Sequence, residues 1–189
     1  MSLLPDDAEQ KEAMVDIESL STRKNAHILS IGIVDMHNFD CHYSCNISLG
    51  KPYHSQNRHI DEGTVAWWMS QSDEARKSAF DPEHGSISLQ DALRNLRHWF
   101  NSNNMKKIWS HGSVFDTVIL EDAYDQIGVT CPWRFWDVRD TRTVIDIARR
   151  ATGSSMEPIR EGTHHSALDD AIHQAKWING IIQLFEPEK

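Results

Sequence analysis

Two acidic residues, Asp16 and Glu18, stand one residue apart in a short apolar segment near the start of the chain. Residues 13–17 are typical of a β-strand. Side chains alternate along a strand, so both carboxylates point to one side while Ile17 points to the other. Burying two neighbouring carboxylates is costly unless something compensates their charge. The pair therefore indicates either a bound cation or, as the plainer alternative, a solvated strand edge.

A further acidic residue, Asp116, follows the sequence SHGSVF, where a predicted strand passes into a predicted helix. Ligands gather at such junctions in α/β sheets, because strand ends and helix N-termini face the same space. An acidic residue in the first helical turn also stabilises the helix dipole. Asp116 alone therefore fits both a ligand site and an ordinary helix start.

The segment HHSALDD, residues 164–170, opens the last predicted helix. We expect Asp170 to project from that helix and His165 to lie in the loop just before it. Ser166 and Asp169 could instead form a capping box, which would leave His165 exposed and without a role. The spacing fits both interpretations.

Taken together, Asp16, Glu18, Asp116 and Asp170 predict a site for divalent cations. Oxygen ligands select hard ions, so we expect two Mg²⁺ or Mn²⁺ ions rather than zinc. Such a pair activates water and stabilises the leaving oxygen in phosphodiester hydrolysis. His165, a histidine with an ordinary pKa of about 6.5, is the predicted general base.

The elements that would position these residues alternate between strands and helices. We predict strands at 13–17, 27–36, 41–48, 107–110 and 135–138, and helices at 64–69, 73–80, 89–100, 113–127, 141–151 and 166–185. This order predicts an α/β fold with a mixed sheet, an antiparallel meander plus parallel strands, and helices on both faces. That is the outline of a ribonuclease H-like fold. We expect residues 1–11 to be disordered and residues 12–189 to form a single domain.

Composition narrows the range of functions. The net charge of the 189 residues is −9, which argues against a protein that coats duplexes through many Lys and Arg contacts with phosphate. An enzyme that holds one strand end needs fewer such contacts. The sequence contains no run of 18 apolar residues, the length that a membrane-spanning helix needs, and its first residues lack a signal-peptide pattern. We therefore expect a cytoplasmic protein with no membrane partner.

Three segments resemble the motifs of a known enzyme family. MVDIESLSTRKNAHILSIGIV resembles the first motif of the DEDD exonucleases, HGSVFDTVILEDAY the second, and HHSALDDAIHQAKW the third. A histidine five positions before Asp170 is typical of the DEDDh branch. TVAWWMSQSDEAR and PWRFWDVRDTRTVID are similar to the subgroup that contains phage-type exodeoxyribonuclease VIII and related small exoribonucleases. The resemblance covers roughly residues 12–183.

This resemblance implies a ribonuclease H-like fold and the release of nucleoside 5′-monophosphates from single-stranded 3′ ends of DNA or RNA. The likeness to phage-type enzymes favours DNA, and relatives are often homodimers. It assigns the metal ions to the four carboxylates already named and the base to His165. It also implies that Ser19 and Leu20 contact the terminal nucleotide and that Phe115 contacts the penultimate base or sugar. Glu18 is a further predicted substrate contact.

Other residues bear on how substrate fits. Ser21 stands where many relatives have Gly, and Gly112 stands where many have Asn; neither is a predicted metal ligand. Trp67 and Trp68 could stack on bases beside the site, with Trp68 as our predicted substrate contact, although such pairs also serve as core.

Two other functions remain open for the same fold. One is a catalytically silent nucleic-acid-binding domain, which the presence of all five active-site residues disfavours. The other is a phosphoesterase for short oligonucleotides that uses the same site. The dependence of hydrolysis on chain length separates this second alternative from an exonuclease.

Overall fold

A mixed β-sheet forms the centre of the computed structural model, which describes residues 11–49, 56–80 and 87–185. Its strands are β1 (Lys11–Ser19), β2 (Ile28–Asp35), β3 (Asn38–Asn46), β4 (Met105–Ser110) and β5 (Val138–Asp140), in the spatial order β3-β2-β1-β4-β5. The β1–β2 and β2–β3 pairs are antiparallel, whereas β1–β4 and β4–β5 are parallel. This sheet confirms the predicted fold class.

Helices cover both faces of the sheet. They are α1 (Glu62–Met69), α2 (Asp73–Phe80), α3 (Leu89–Ser102), α4 (Asp116–Gln126), α5 (Thr141–Thr152) and α6 (Ala167–Ile182). On one face, Val15 and Ile17 of β1 pack in a core with α3 and α4. On the other face, Met14 packs with α5 and α6. The alternation of β1 therefore directs Asp16 and Glu18, like Met14, to the side of the sheet that α6 covers.

Local sequence explains where several elements begin and end. The hydroxyl of Ser88 accepts a hydrogen bond from the Asp91 amide at 3.1 Å and caps α3. Asp140 caps α5 in the same way, and Gly153, with a φ of 77°, ends that helix. These ends agree with the predicted helices, because capping side chains and a left-handed glycine are signals carried by local sequence.

Some boundaries differ from the prediction. The predicted strand at 135–138 is instead a 3₁₀ turn, Phe135–Asp137, followed by β5, because only residues 138–140 lie beside Ile108–Ser110 of β4. Lys11, predicted to be disordered, is the first residue of β1, and residues 1–10 lie outside the described part of the chain. The single domain over 12–189 stays a prediction. In the described ranges, no helix is long and apolar enough to cross a membrane.

A close contact at Gly32 fixes where α6 crosses the sheet. Gly32 lies opposite Asp16 in the β1–β2 register. A Cβ atom at Gly32 would lie 2.3 Å from the Leu168 backbone nitrogen and 2.4 Å from the Ala167 carbonyl carbon. Real Cβ contacts are not this short, so only glycine lets the first turn of α6 approach β2 so closely. As a result, Asp170 reaches the strand that carries Asp16.

Candidate active site

The predicted site residues meet in one cleft of about 650 Å³. They come from β1, the start of α4, the loop before α6 and the first turns of α6. The cleft is lined by all five residues that were predicted to bind metal or to act as base: Asp16, Glu18, Asp116, His165 and Asp170. The fold thus brings together residues from three distant segments of the chain.

Asp116 is hydrogen-bonded to β1, the strand that carries Asp16 and Glu18. It is the first residue of α4, is 3% exposed, and accepts a hydrogen bond from the Ile17 amide through Oδ1 at 3.3 Å. This contact holds the carboxylate close enough to Asp16 and Glu18 that its charge raises the pKa of both. Asp116 therefore belongs to the cleft and does not merely stabilise the start of a helix.

Asp16 has a partner on α6 that the sequence analysis did not identify. The Gln174 side chain donates a hydrogen bond from Nε2 to Asp16 Oδ1 at 2.8 Å. Its other amide atom, Oε1, is buried and has no hydrogen-bond partner in the described structure. Gln174 lies four residues after Asp170, on the same face of α6, so helical spacing could have indicated it.

Asp170 is held by two groups. Its Oδ1 forms an ion pair with the guanidinium of Arg160, and its Oδ2 accepts a hydrogen bond from the His165 amide at 3.0 Å. Arg160 lies in the polar loop between α5 and α6, and its buried Nε lacks a hydrogen-bond partner among the described residues. No motif or periodicity marks this loop, so Arg160 was not predictable from local sequence.

His165 adopts a left-handed backbone conformation, with a φ of 60°. Its Nδ1 lies 3.9 Å from Glu18 Oε1, and its ring packs edge-on against Trp67 at a centroid distance of 4.9 Å. Partial burial, followed by the positive charges of His164 and Arg160, lowers the pKa of His165. The imidazole is therefore neutral at neutral pH and can accept a proton.

The carboxylates of the cleft repel one another. Burial, followed by the charges of Asp116 and Glu18, raises the pKa of Asp16 well above its ordinary value. Burial and then Asp116 raise the pKa of Glu18 to about 8, and burial raises that of Asp116 to about 7. Near neutral pH the cluster without cations therefore retains protons, which a bound cation would displace.

The donor set fits a hard divalent cation. Glu18, His165 and Asp170 each offer a ligand atom, and these three atoms lie within 4.8 Å of one another. Asp16 and Asp116 line the same cleft with raised pKa values, and the Gln174 Oε1 atom lacks a partner in the described residues. Carboxylate oxygens in excess of nearby positive charge are the ligands that Mg²⁺ and Mn²⁺ prefer.

The predicted substrate contacts divide into two groups. Ser19 and Phe115 line the cleft as expected, whereas Leu20 and Trp68 do not. Both of the latter are buried in a separate apolar cluster, and Trp68 Nε1 donates a hydrogen bond to the Ser19 carbonyl at 2.9 Å. Trp68 is 1% exposed and does not line the cleft, so its contact with substrate stays a prediction that this position does not support. Trp67, which is 43% exposed, faces the cleft instead, because successive helical residues point in different directions.

The Ser21 hydroxyl forms hydrogen bonds inside the protein. It is 1% exposed, and its Oγ lies 2.8 Å from Nδ1 of His59, which precedes α1. The hydroxyl also accepts a hydrogen bond from the Arg23 amide at 3.2 Å. Serine at this position therefore connects the turn after β1 to the segment that leads into α1.

Comparison with known proteins gives consistent results. The family described as the 3′-5′ exoribonuclease Rv2179c-like domain matches residues 11–182. An exodeoxyribonuclease of Enterobacteria phage T4 is 26% identical over an alignment 187 positions long, and the alignment covers 85% of this chain and 82% of that protein.

Solved structures show the same fold at low identity. The nuclease domain of 3′hExo, a DEDDh family member bound to rAMP, is 13% identical, with a TM-score of 0.58 over 95% of this chain and 94% of its own. Exonuclease I of E. coli, bound to single-stranded DNA and zinc, is 11% identical, with a TM-score of 0.66 over 95% of this chain. The likeness spans 42% of exonuclease I. The match over residues 11–182 shows that this chain belongs to the Rv2179c-like 3′–5′ exoribonuclease domain family.

Proposed function

We propose that this protein is a metal-dependent 3′–5′ exonuclease that releases nucleoside 5′-monophosphates from single-stranded ends. The observation that carries the proposal is the meeting of four carboxylates and His165 in one cleft, from segments far apart in the chain. Family membership supports the reaction direction. The residues supply its chemistry: a metal-binding acidic cluster beside a neutral imidazole.

We assign the metal ligands to Asp16, Glu18, Asp116 and Asp170. Two Mg²⁺ or Mn²⁺ ions bound there would activate water and stabilise the charge on the leaving oxygen. Before metal binds, Arg160 is paired with Asp170 and supplies part of the positive charge that the acidic cluster lacks. The raised pKa values of Asp16, Glu18 and Asp116 give these carboxylates a strong preference for a bound cation.

His165 acts as general base in this proposal. Its neutral ring takes a proton at a ring nitrogen from the water that attacks the last phosphodiester of the strand. The water oxygen bonds to phosphorus, the bond from phosphorus to the 3′-oxygen breaks, and that oxygen leaves with the shortened strand and takes up a proton. The Glu18 carboxylate, 3.9 Å from Nδ1, stabilises the imidazolium that forms. The terminal nucleotide leaves as its 5′-monophosphate.

The nucleotides are positioned by residues on both sides of this chemistry. Ser19 lies directly after the acidic pair of β1 and is assigned to the terminal nucleotide. Phe115, beside Asp116, is assigned to the penultimate base or sugar. Trp67 packs against the His165 ring and presents a partly exposed face to the same cleft, where a base can stack.

The sugar of the natural substrate is a separate question. The family description names a ribonuclease, whereas the phage T4 relative is named a deoxyribonuclease. Our prediction of DNA rests on the resemblance to phage-type enzymes and on that relative. Discrimination between the two depends on contacts to a 2′-hydroxyl, so both polymers belong in the first assay.

The test is digestion of matched DNA and RNA strands, each labelled at the 5′ or the 3′ end, with Mg²⁺, with Mn²⁺ and with EDTA. We expect a ladder of shortening products from the 5′ label, immediate release of a mononucleotide from the 3′ label, and no reaction in EDTA. Internal cleavage, release from the 5′ end, or activity in EDTA would contradict the proposal. A series of strand lengths tests the alternative of a phosphoesterase for short oligonucleotides.

Two other expectations stay predictions. The homodimer that the resemblance implies can be tested by light scattering on the purified chain. The cytoplasmic location can be tested by fractionation of the cells that express it.

A further inference from the structure

Arg142 projects toward the cleft from the first turn of α5. It lines the cleft with His111, Phe115 and Asp116, and it is exposed. Its guanidinium forms no hydrogen bond or ion pair with the residues that the structure describes. Burial and then the charge of Arg142 lower the pKa of His111, which places that charge close to the cleft wall.

Other arginines of this protein have internal partners. Buried Arg58 donates to the carbonyls of Ala26, Lys24 and Ile119 and pairs with Asp122, which joins the turn after β1 to α4. Arg150, on the same helix as Arg142, pairs with Asp146 at 2.8 Å. By contrast, the five donors of the Arg142 guanidinium meet no acceptor among the described residues and are left for a ligand.

Gly112 provides the space that the Arg142 side chain occupies. A Cβ atom at Gly112 would lie 3.3 Å from the guanidinium carbon of Arg142 and 3.4 Å from its Nε. Gly112 also has a φ of 104°, a conformation that other residues rarely adopt. A larger side chain at this position would push the guanidinium away from the cleft.

The charge around Arg142 indicates an anionic ligand. Among the described residues that line the cleft, Arg142 is the one lysine or arginine, and it lies next to the acidic cluster. The substrate of the proposed reaction brings phosphates. The scissile phosphate must lie among the carboxylates and their cations. In a strand with a free 3′-hydroxyl the scissile phosphate is the last one, so every other phosphate lies on its 5′ side.

We propose that Arg142 binds the backbone phosphate immediately 5′ to the scissile one, and that Gly112 makes room for this contact. The inference rests on the proposed exonuclease function and deepens it, because it assigns a substrate contact that the carboxylate motifs do not contain. A planar guanidinium suits this task, because it forms two parallel hydrogen bonds with phosphate oxygens. The contact recognises the strand regardless of its sequence.

A pair of dinucleotides isolates this contact. A dinucleotide without a 5′-phosphate contains only the scissile phosphate, whereas its 5′-phosphorylated form also contains the phosphate that Arg142 would bind. We expect the wild-type enzyme to have a kcat/KM roughly 10- to 100-fold higher for the phosphorylated form, the range for a hydrogen bond to a charged group. In Arg142→Met this ratio should fall to near one, mainly through KM.

Three matched variants complete the experiment. Arg142→Lys keeps the charge without the planar geometry and should give an intermediate ratio. Gly112→Ala should lower the ratio by displacing the guanidinium. Arg150→Met, which removes a paired arginine from the same helix, should keep the wild-type ratio. On longer single strands, Arg142→Met should also reduce the salt dependence of log(1/KM) by about 0.7, the value for one lost phosphate contact.

The outcomes separate this inference from the function on which it rests. If the wild-type enzyme hydrolyses strands but gains nothing from the 5′-phosphate, or if Arg142→Met keeps the full gain, the assignment of Arg142 is wrong while the exonuclease function stands. If the wild-type enzyme hydrolyses neither dinucleotides nor longer strands, the proposed function is wrong and this inference is wrong with it.

Discussion

The charged side chains on the two walls of the cleft differ in whether they have partners within the protein. On the wall formed by β1 and α6, Asp16 accepts a hydrogen bond from Gln174, and Asp170 is paired with Arg160. On the wall formed by the starts of α4 and α5, Arg142 carries a charge with no partner in the described structure. The carboxylates of the β1–α6 wall thus have partners inside the protein, whereas the Arg142 guanidinium on the α4–α5 wall has donors that a ligand can use.

The largest expected effect comes from removing a carboxylate of the acidic cluster. Asp116→Asn should lower kcat by about 10³-fold or more, because a bound metal ion contributes several kcal/mol to the transition state. The metal-free variant should melt at the wild-type temperature or above it, since one source of repulsion is gone. Asp125→Asn, an exposed change on the same helix, is the control. Wild-type rates in Asp116→Asn would remove the metal-site assignment.

His165→Ala should lower kcat on the order of 10²-fold, the lower range for a lost general base. The carboxylates remain, so Mn²⁺ should still raise the melting temperature of this variant. The acidic limb of the wild-type rate profile should lie below pH 6.5, because burial lowers the pKa of His165. His164→Ala, at the exposed neighbour, is the matched control. Equal losses in the two variants would contradict a specific role for His165.

Gly32→Ala tests how the β1–α6 wall is built. The new methyl group would collide with the backbone of α6 at Ala167 and Leu168, so the helix must shift. We expect a loss of about 1–3 kcal/mol in unfolding free energy, as for other overpacked sites, together with reduced kcat.

Gly180→Ala is the control for that prediction. Gly180 lies in the same helix, and a Cβ atom there would meet nothing within 4 Å. This variant should be stabilised by about 0.5–1 kcal/mol, because alanine favours helix more than glycine does. Equal stability of the two variants in denaturant titrations would show that the contact at Gly32 is not tight.

The acidic cluster also predicts how stability depends on pH without metal. Burial raises the pKa of Glu18 from 4.5 to about 8, and that of Asp116 from 3.8 to about 7. Between pH 4 and 8 the folded state therefore holds protons that the unfolded chain has lost, so stability is greatest at the acidic end and falls as pH rises. The lowered pKa of His165 acts in the opposite direction, but that ring is partly exposed.

The measurement is melting temperature against pH, with EDTA and with Mn²⁺. In EDTA the melting temperature should fall by several degrees from pH 5 to pH 8, and Mn²⁺ should stabilise the protein most at the upper end. Asp116→Asn should flatten the curve in EDTA. A melting temperature in EDTA that rises across this interval would show that the carboxylates are not buried together.

The smallest effect distinguishes the two arginines directly. Arg160→Gln removes a partly buried partner of Asp170 and should cost roughly 1–2 kcal/mol in the metal-free protein, seen as a lower melting temperature. Mn²⁺ should restore much of that loss. Arg142→Gln should change the melting temperature less, because Arg142 forms no hydrogen bond or ion pair with the described residues and acts on Asp116 only through its charge. Equal shifts in the two variants would remove the contrast between the walls.

Local patterns were sufficient to predict part of this structure. The alternation of β1 placed Asp16 and Glu18 on one side, and Ser88 and Gly153 marked the ends of two helices. Each of these features depends on neighbours within a few residues. The carboxylate cluster was also anticipated, because each acidic residue lies in a recognisable strand or helix start.

Other features depend on contacts that no local pattern encodes. Arg160 meets Asp170 only because a long irregular loop folds back on α6. Trp67 and Trp68 are the same residue type in the same helix, and their roles differ through the direction in which α1 packs. The strand expected at 135–138 is shifted because pairing with β4 decides which residues are extended.

The hydrogen bond from the Ile17 amide to Asp116 bears on how the proposed metal site forms. The strand that bears two of the proposed ligands also orients a third, and β1 can do so only after it has paired with β4, which leads into α4. Formation of the sheet therefore arranges the acidic cluster before any cation binds. Chelators should stop turnover without unfolding the chain, unlike small zinc domains whose metal is needed for folding.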